Sequence, residues 1–237
     1  MEENYVMQKL MSYVSEIFST TKIEDYYGLS RSLKILNHVN NCIILENIKD
    51  KNYVLALRCA SILHNIDNKQ FFSKNNSKVI LDSLFGNRSD NIIIQKILKL
   101  IHNPGTLTVS PDKEWMLIPR YAHMLECLGE PGLIRLYFYY CFYDKNIIPK
   151  KGSLKDIDYY NSEEFLDNCV YENMIEHYLS FYRYKQYLEK CNIPYVIKIA
   201  RERCEFMKKY LIMVSVKKFN AEHLIKLKKN IEKKKLL

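Results

Sequence analysis

The sequence contains little glycine and little proline, with six of each among 237 residues. A fold rich in β-hairpins needs these residues at its many turns, so their scarcity disfavours such a fold. The chain is long enough to bury a substantial core. We therefore predict an all-α fold, with one helical domain over residues 1–216 and a lysine-rich helical tail over residues 217–237.

Several kinds of segment and site are missing. No window reaches about 18 apolar residues without a charge, so no membrane-spanning helix is expected. The patterns GxxxxGK[ST], GxGxxG, HExxH and GxSxG do not occur, which excludes the usual phosphate loops, dinucleotide folds, zinc proteases and serine hydrolases. The seven cysteines include no CxxC pair, so the spacing of a zinc knuckle is absent as well.

The odd number of cysteines favours the cytoplasm or another reducing compartment. Most of the cysteines lie in apolar helical segments, where a thiol acts as a small hydrophobic side chain. The first residues contain no uninterrupted apolar stretch of the kind found in a secretory signal. The abundance of Ile, Asn, Lys and Tyr is typical of an AT-rich genome, such as that of a low-GC organism or a large DNA virus.

The formal net charge of +9 indicates an acidic partner, which is a nucleotide, a nucleic acid or an acidic protein. The alternative interpretation is lysine-rich solubility with an uneven tail. Residues 217–237 combine many lysines with Leu224, Ile225, Leu227 and Ile231. This pattern predicts a basic amphipathic helix that can contact nucleic-acid phosphates or a protein.

Apolar residues recur at helical spacing along most of the chain. Ser30 is the predicted N-cap of the second helix, Asp90 caps a later one, and Gly129 ends another. The other predicted helices cover Glu3–Ser19, Tyr53–His64, Val79–Phe85, Ile92–His102, Trp115–Leu128, Leu133–Phe142, Ser162–Lys190 (which a break can divide) and Pro194–Val216.

The most informative stretch is Arg58–Phe72, in which an apolar helix places His64 at the start of a polar segment. A histidine nitrogen and a neighbouring carboxylate at a helix end can share a metal ion, which a second carboxylate completes. Here the neighbour is Asn65, whose neutral carbonyl cannot offset a divalent charge, and Asp67 lies two residues further on. The residues alone leave a metal ligand and a structural histidine both open for His64.

The order of several segments resembles the HD-domain phosphohydrolases, in particular their small soluble branch of nucleotide phosphatases and pyrophosphatases. Leu63–Asn68, LHNIDN, resembles the LLHDIDD core of that family. Arg31–Ile35, RSLKI, resembles its HxxRV helix, and Tyr121–Arg135 resembles its DADRLDALGAIGIAR segment. Leu98–Asn103 and Tyr178–Leu211 resemble later helices, so the resemblance covers most of the chain before the tail.

The resemblance implies an all-helical domain that holds a divalent metal through an H…HD…D set. Of this set only His64 is present. The other three positions fall on Arg31 (or Ser30 if the register slips), Asn65, and His123 (or Tyr121). An arginine repels a cation, but it can hold a phosphate group through a bidentate contact.

The sequence leaves three functions open. The first is a divergent HD-domain protein that is inactive as a metal phosphohydrolase and acts as a binding or structural module. In this case no cofactor is expected, Arg31 and Lys69 bind phosphate, and the ligand is a nucleotide or another phosphate compound. The second is an active phosphohydrolase of nucleotides or other small phosphate esters. The third is a nucleic-acid-associated or assembly protein that uses the basic tail.

The second function needs a rebuilt, histidine-rich site and a divalent metal ion. We predict that its metal ligands are His64, Asp67 and His123. The catalytic candidates are His64, Asp67, His102 and His123. Whether the protein is an enzyme depends on how these side chains are arranged.

Overall fold

The computed structural model describes residues 3–20, 27–68, 72, 74–86, 91–102, 111–143, 154–162, 164, 171 and 173–216. These residues are largely helical and contain no β-strand, which confirms the predicted all-α fold class. In chain order the α-helices are α1 (Glu3–Ser19), α2 (Leu29–Leu45), α3 (Lys51–Leu63), α4 (Asn76–Phe85), α5 (Ile92–His102), α6 (Ile118–Leu125), α7 (Gly129–Phe142), α8 (Met174–Ser180), α9 (Tyr184–Glu189) and α10 (Pro194–Val216). Short 3₁₀ helices cover Pro111–Leu117, Tyr159–Asn161 and Phe181–Arg183.

The chain forms two compact units. The first unit is Met1–Glu126 with Lys190–Lys198, and the second is Cys127–Glu189 with Ile199–Leu237. The predicted basic tail over residues 217–237 lies outside the described residues, so that tail and its boundary stay predictions. Within the described ranges, every helix is too short or too polar to cross a membrane.

Helix α3 packs against α1, α2, α5 and α6 within the first unit. Asp50 caps its N-terminus, because Oδ1 accepts hydrogen bonds from the amides of Asn52 (2.8 Å) and Tyr53 (3.0 Å). A helix that is apolar around most of its circumference is expected in the core of a bundle. The buried residues of α3 are Ala56, Leu57, Cys59, Ala60, Ser61, Ile62 and Leu63.

The start of helix α2 differs from the prediction. The helix begins at Leu29, and Gly28 occupies the N-cap position. The Gly28 carbonyl accepts a hydrogen bond from the amide of Ser32 at 3.2 Å, so the helical pattern already includes Ser30. The predicted N-cap at Ser30 is therefore wrong.

The starts of α5 and α10 can be compared with the residues predicted there. Asp90, the predicted cap of α5, lies outside the described residues. Its neighbour Asn91 accepts a hydrogen bond from the amide of Ile93 through Oδ1 at 3.1 Å, as a capping side chain does. Pro194 is the first residue of α10, where its fixed φ and missing amide hydrogen are tolerated.

The second unit contains a turn with two positions that favour glycine. The predicted helix end at Gly129 and Pro131 is misplaced, because α6 already ends at Leu125 and α7 begins at Gly129 and includes Pro131. Gly129 has a φ of +63°, which side-chain-bearing residues disfavour. A Cβ atom at Gly132 would lie 1.8 Å from the carbonyl oxygen of Cys127, so the backbone itself fills the space that a side chain would need.

The described cysteines are free thiols, and most of them are buried. Burial raises the pKa of the Cys42, Cys59 and Cys204 thiols to about 12 and that of Cys191 to about 11. These thiols are therefore protonated at neutral pH. They act as small apolar side chains and not as nucleophiles.

These pKa values predict a loss of stability in alkaline solution. An unfolded chain ionises its thiols near the ordinary pKa of 9.0, whereas the folded chain keeps them protonated to about 11 or 12. Between these values the unfolded state binds fewer protons, so the free energy of unfolding falls as pH rises. The thiols contribute fully below pH 9.0 and progressively less above it.

Urea unfolding at about pH 8 and about pH 10 measures this decline. Cys59→Ala removes one buried thiol, so we expect a shallower decline, by at most about 1.4 kcal/mol per pH unit. An equally steep decline in that variant would contradict the assignment to Cys59.

Candidate functional site

His64 lies at the C-terminal end of α3, as the C-cap residue of the helix. Its Nδ1 lies 2.9 Å from the carbonyl oxygen of Ser61. A carbonyl oxygen only accepts hydrogen bonds, so Nδ1 carries the proton and the lone pair of the neutral ring is on Nε2. The backbone of the last helical turn therefore fixes the tautomer of His64.

His123, on α6, lies beside His64. The two ring centroids are 5.4 Å apart, and the rings are nearly perpendicular at 68°. Arg31 reaches the same place from α2, with Nη2 at 3.4 Å from His123 Nδ1. The guanidinium only donates, so Nδ1 of His123 accepts and its Nε2 carries the proton.

Three of the predicted site residues, Arg31, His64 and His123, are thus brought together. Arg31 is buried, with 5% of its surface exposed, and its guanidinium lies 5.6 Å from the centroid of the Tyr27 ring. His64 and His123 keep intermediate exposure. The arrangement places a buried cation next to two half-buried imidazoles, of which His64 has a buried Nε2 atom.

Asn65 and Asp67 make different contacts. Asn65 is buried, and its Nδ2 donates to the carbonyl of Tyr27 at 3.3 Å. Asp67 Oδ1 accepts from the amide of Ser77 at 2.9 Å, and Oδ2 accepts from the Ser77 hydroxyl. The Asp67 carboxylate therefore accepts hydrogen bonds from the first turn of α4, as an N-cap side chain does.

The other two candidates are not described to the same extent. Lys69, a predicted phosphate-binding residue, lies outside the described residues. His102 is the last residue of α5, and its side chain is likewise outside the described part. Their roles stay predictions.

A divalent cation does not suit this set of donors. His123 turns Nδ1 toward the Arg31 guanidinium, and this positive group itself repels a cation. The two carboxylate oxygens of Asp67 already accept hydrogen bonds from Ser77. Divalent ions of this kind are held by anionic oxygens, neutral imidazoles or thiolates. Over the described ranges, no group of three His, Cys, Asp or Glu side chains is placed to hold a metal ion.

A second polar cluster was missed by the sequence analysis. His38 Nε2 lies 3.0 Å from Glu126 Oε1, and His38 Nδ1 lies 2.8 Å from the hydroxyl of Tyr195. Asn41 Nδ2 also donates to that hydroxyl at 3.1 Å. The three side chains of His38, Glu126 and Tyr195 are far apart in the sequence, and no local motif links them.

No protein-family model matches the chain. A curated relative is protein L803 of Acanthamoeba polyphaga mimivirus, which is 26% identical over 243 residues, covering 90% of this chain and 98% of the relative. A viral relative agrees with the composition, whereas the source of this chain stays a prediction.

Solved structures share the fold over most of the chain. YpgQ of Bacillus subtilis in complex with ADP has a TM-score of 0.63 and 12% identity, and the match covers 90% of this chain and 95% of YpgQ. An HD-superfamily hydrolase of Bacillus thuringiensis has a TM-score of 0.61 and 13% identity, covering 90% and 96%. A Lactobacillus plantarum protein has a TM-score of 0.64 and 13% identity, covering 88% and 94%. At these identities the likeness establishes the fold alone.

Proposed function

We propose that this chain, which has the fold of the HD-domain phosphohydrolases, binds the phosphate groups of a nucleotide at Arg31, His64 and His123 and does not act as a metal phosphohydrolase. The observation that carries the proposal is the buried Arg31 guanidinium at 3.4 Å from His123. The resemblance placed this arginine at the position of a metal-binding histidine. A fixed positive charge in the metal's place favours an anion in that part of the fold.

The donors suit a phosphate group. A guanidinium presents paired N–H groups that match two phosphate oxygens, and such charge-assisted hydrogen bonds are stronger than neutral ones. His123 adds an Nε2–H donor, because its Nδ1 faces Arg31. The Tyr27 ring lies within cation–π distance of the guanidinium, and this contact helps to hold the guanidinium in place before a ligand binds.

The choice of a nucleotide as ligand draws on a comparison. YpgQ, which shares the fold, is known in complex with ADP. ADP carries two phosphates and is the first ligand to test on this chain. The net charge of +9 further favours the approach of such an anion.

An active phosphohydrolase is the second candidate. The lone pair on His64 Nε2 and the short distance between the two imidazole rings favour it, since a softer metal ion can be held by histidines. It requires His123 to turn away from Arg31 and another ligand to join. A nucleic-acid function of residues 217–237 stays a prediction, because those residues are not described.

Calorimetric titration tests the proposed function. We expect ADP and pyrophosphate to bind in the presence of a chelator, and adenosine, which has no phosphate, not to bind. A panel of nucleoside mono- and triphosphates with Mg, Mn, Co and Ni should give no product. Binding that requires a divalent ion, or turnover that disappears in His64→Ala, would contradict the proposal and favour the hydrolase.

A further inference from the structure

A hydroxyl, an imidazole and a carboxylate form a continuous hydrogen-bonded chain in the first unit. The Tyr195 hydroxyl lies 2.8 Å from His38 Nδ1, and His38 Nε2 lies 3.0 Å from Glu126 Oε1. An ionised carboxylate only accepts, so Nε2 carries the proton and Nδ1 accepts from the hydroxyl of Tyr195. This hydrogen-bonded series has the order of nucleophile, base and base-orienting group, with Tyr195 first, His38 second and Glu126 third. An activated hydroxyl requires that order.

The three residues become more buried from Tyr195 to Glu126. His38 and Glu126 are buried, with exposed fractions of 7% and 4%, whereas Tyr195 keeps intermediate exposure. Tyr195 is therefore the most exposed of the three residues, and Glu126 lies at the buried end of the hydrogen-bonded series.

A second hydrogen bond favours a negative charge on the Tyr195 oxygen. Asn41 Nδ2 donates to it at 3.1 Å. Glu126 in turn stabilises the imidazolium that forms when His38 takes the proton.

We propose that Tyr195 is an activated nucleophile toward phosphoryl donors. His38 is its general base, and Glu126 positions that base and stabilises its protonated form. In the step, a Tyr195 O–P bond forms and the bond from phosphorus to the leaving group breaks. The leaving group departs with the electron pair, and the phenolic proton passes to His38 Nδ1. The product is an O-phosphoryl tyrosine.

This inference does not depend on the phosphate site at Arg31. Arg31 and His38 are seven residues apart on α2, which is about two helical turns. The two clusters use different partners, because Arg31 contacts His123 and His38 contacts Glu126. Loss of nucleotide binding and loss of tyrosine reactivity are therefore separate results.

A fluorophosphonate probe on the full chain tests the proposal. The Tyr195 oxygen attacks phosphorus, fluoride leaves with the electron pair of the P–F bond, and the proton passes to His38. Peptide mass spectrometry then gives the labelling rate of each tyrosine. Tyr5 and Tyr187, which are 50% and 51% exposed, serve as internal references.

We expect Tyr195 to be labelled at least about 100-fold faster than these two tyrosines, because a positioned general base contributes about that factor or more. If Tyr195 is labelled no faster than Tyr5 and Tyr187, the proposal is overturned. This comparison uses the unmodified protein, so it holds even if a variant fails to fold.

Substitutions of His38 and Glu126 test the roles proposed for these two residues. His38→Asn keeps an acceptor for the hydroxyl but removes the base, so labelling of Tyr195 should fall to the rate of the reference tyrosines. Glu126→Gln should lower the rate about tenfold, and Glu126→Asp, which restores the charge, should recover part of it. A folded His38→Asn that is labelled at the original rate would overturn the role of His38.

Discussion

Replacing Arg31 by methionine should weaken the binding of ADP about 10- to 100-fold, because hydrogen bonds to charged groups contribute about 1.5–3 kcal/mol. Methionine retains most of the apolar stem of the buried arginine and removes only the charged head. Calorimetric titration of both proteins with ADP, in the presence of a chelator, measures the change.

Lys34→Met is the matched control for this prediction. Lys34 lies on α2 one turn after Arg31, carries the same charge and is exposed. If the effect arose from the net charge of the chain, the two variants would lose affinity equally. We expect Lys34→Met to bind ADP with nearly unchanged affinity, apart from a small general electrostatic loss.

Arg31→Lys separates charge from geometry. A lysine keeps the positive charge but has no planar pair of donors, so it cannot hold two phosphate oxygens in the same way. We expect an affinity between those of the wild-type protein and Arg31→Met. Equal affinities of wild type and Arg31→Met would show that the phosphate groups bind elsewhere.

The fold was largely predictable because local patterns determine most of it. Apolar residues at helical spacing fixed the extents of α1 and α5, and Pro194 fixed the start of α10. The errors lie at the ends of helices and at breaks within them, since the predicted helix Ser162–Lys190 contains α8, the 3₁₀ helix Phe181–Arg183 and α9 as separate elements. Helix α2 begins one residue before the predicted cap at Ser30, and α6 ends at Leu125, three residues before the predicted end at Leu128, because backbone and tertiary contacts outweigh local preference there.

The candidate site was only partly predictable. The resemblance assigned Arg31, His64 and His123 to one place, and the structure puts these three side chains in contact. Periodicity could not show that the guanidinium faces His123 Nδ1, because that contact joins residues 92 positions apart. The phosphate-binding role itself stays a proposal.

The contacts of His38 could not be inferred from the sequence. Its partners Glu126 and Tyr195 lie 88 and 157 residues away, so no spacing rule connects them. The composition around His38, with several asparagines, is typical of an exposed helix face, yet the residue is buried. A buried polar side chain normally needs partners, and here distant segments supply them.

Gly132→Ala should lower the free energy of unfolding by about 3 kcal/mol or more, which is at or above the upper end of ordinary overpacking. The added Cβ would lie 1.8 Å from the carbonyl oxygen of Cys127 and 2.4 Å from its carbonyl carbon. Both atoms belong to the backbone and cannot rotate away as a side chain can, so the start of α7 must shift. Because a chain of this size loses about 2–4 °C per kcal/mol, thermal unfolding should show a drop of several degrees.

Gly86→Ala is the matched control, since it makes the same substitution at a glycine with open space around it. Gly86 ends α4 with a φ of +81°, and an added Cβ would meet no atom within 4 Å. Its ψ of 145° puts it in a region that is almost exclusive to glycine, so this variant measures backbone strain alone, which costs about 1–3 kcal/mol. If Gly132→Ala were no more destabilising than Gly86→Ala, the backbone between Cys127 and Gly132 would have to relax at a cost no greater than the strain at Gly86. Such a result would contradict the close packing that requires a glycine at the start of α7.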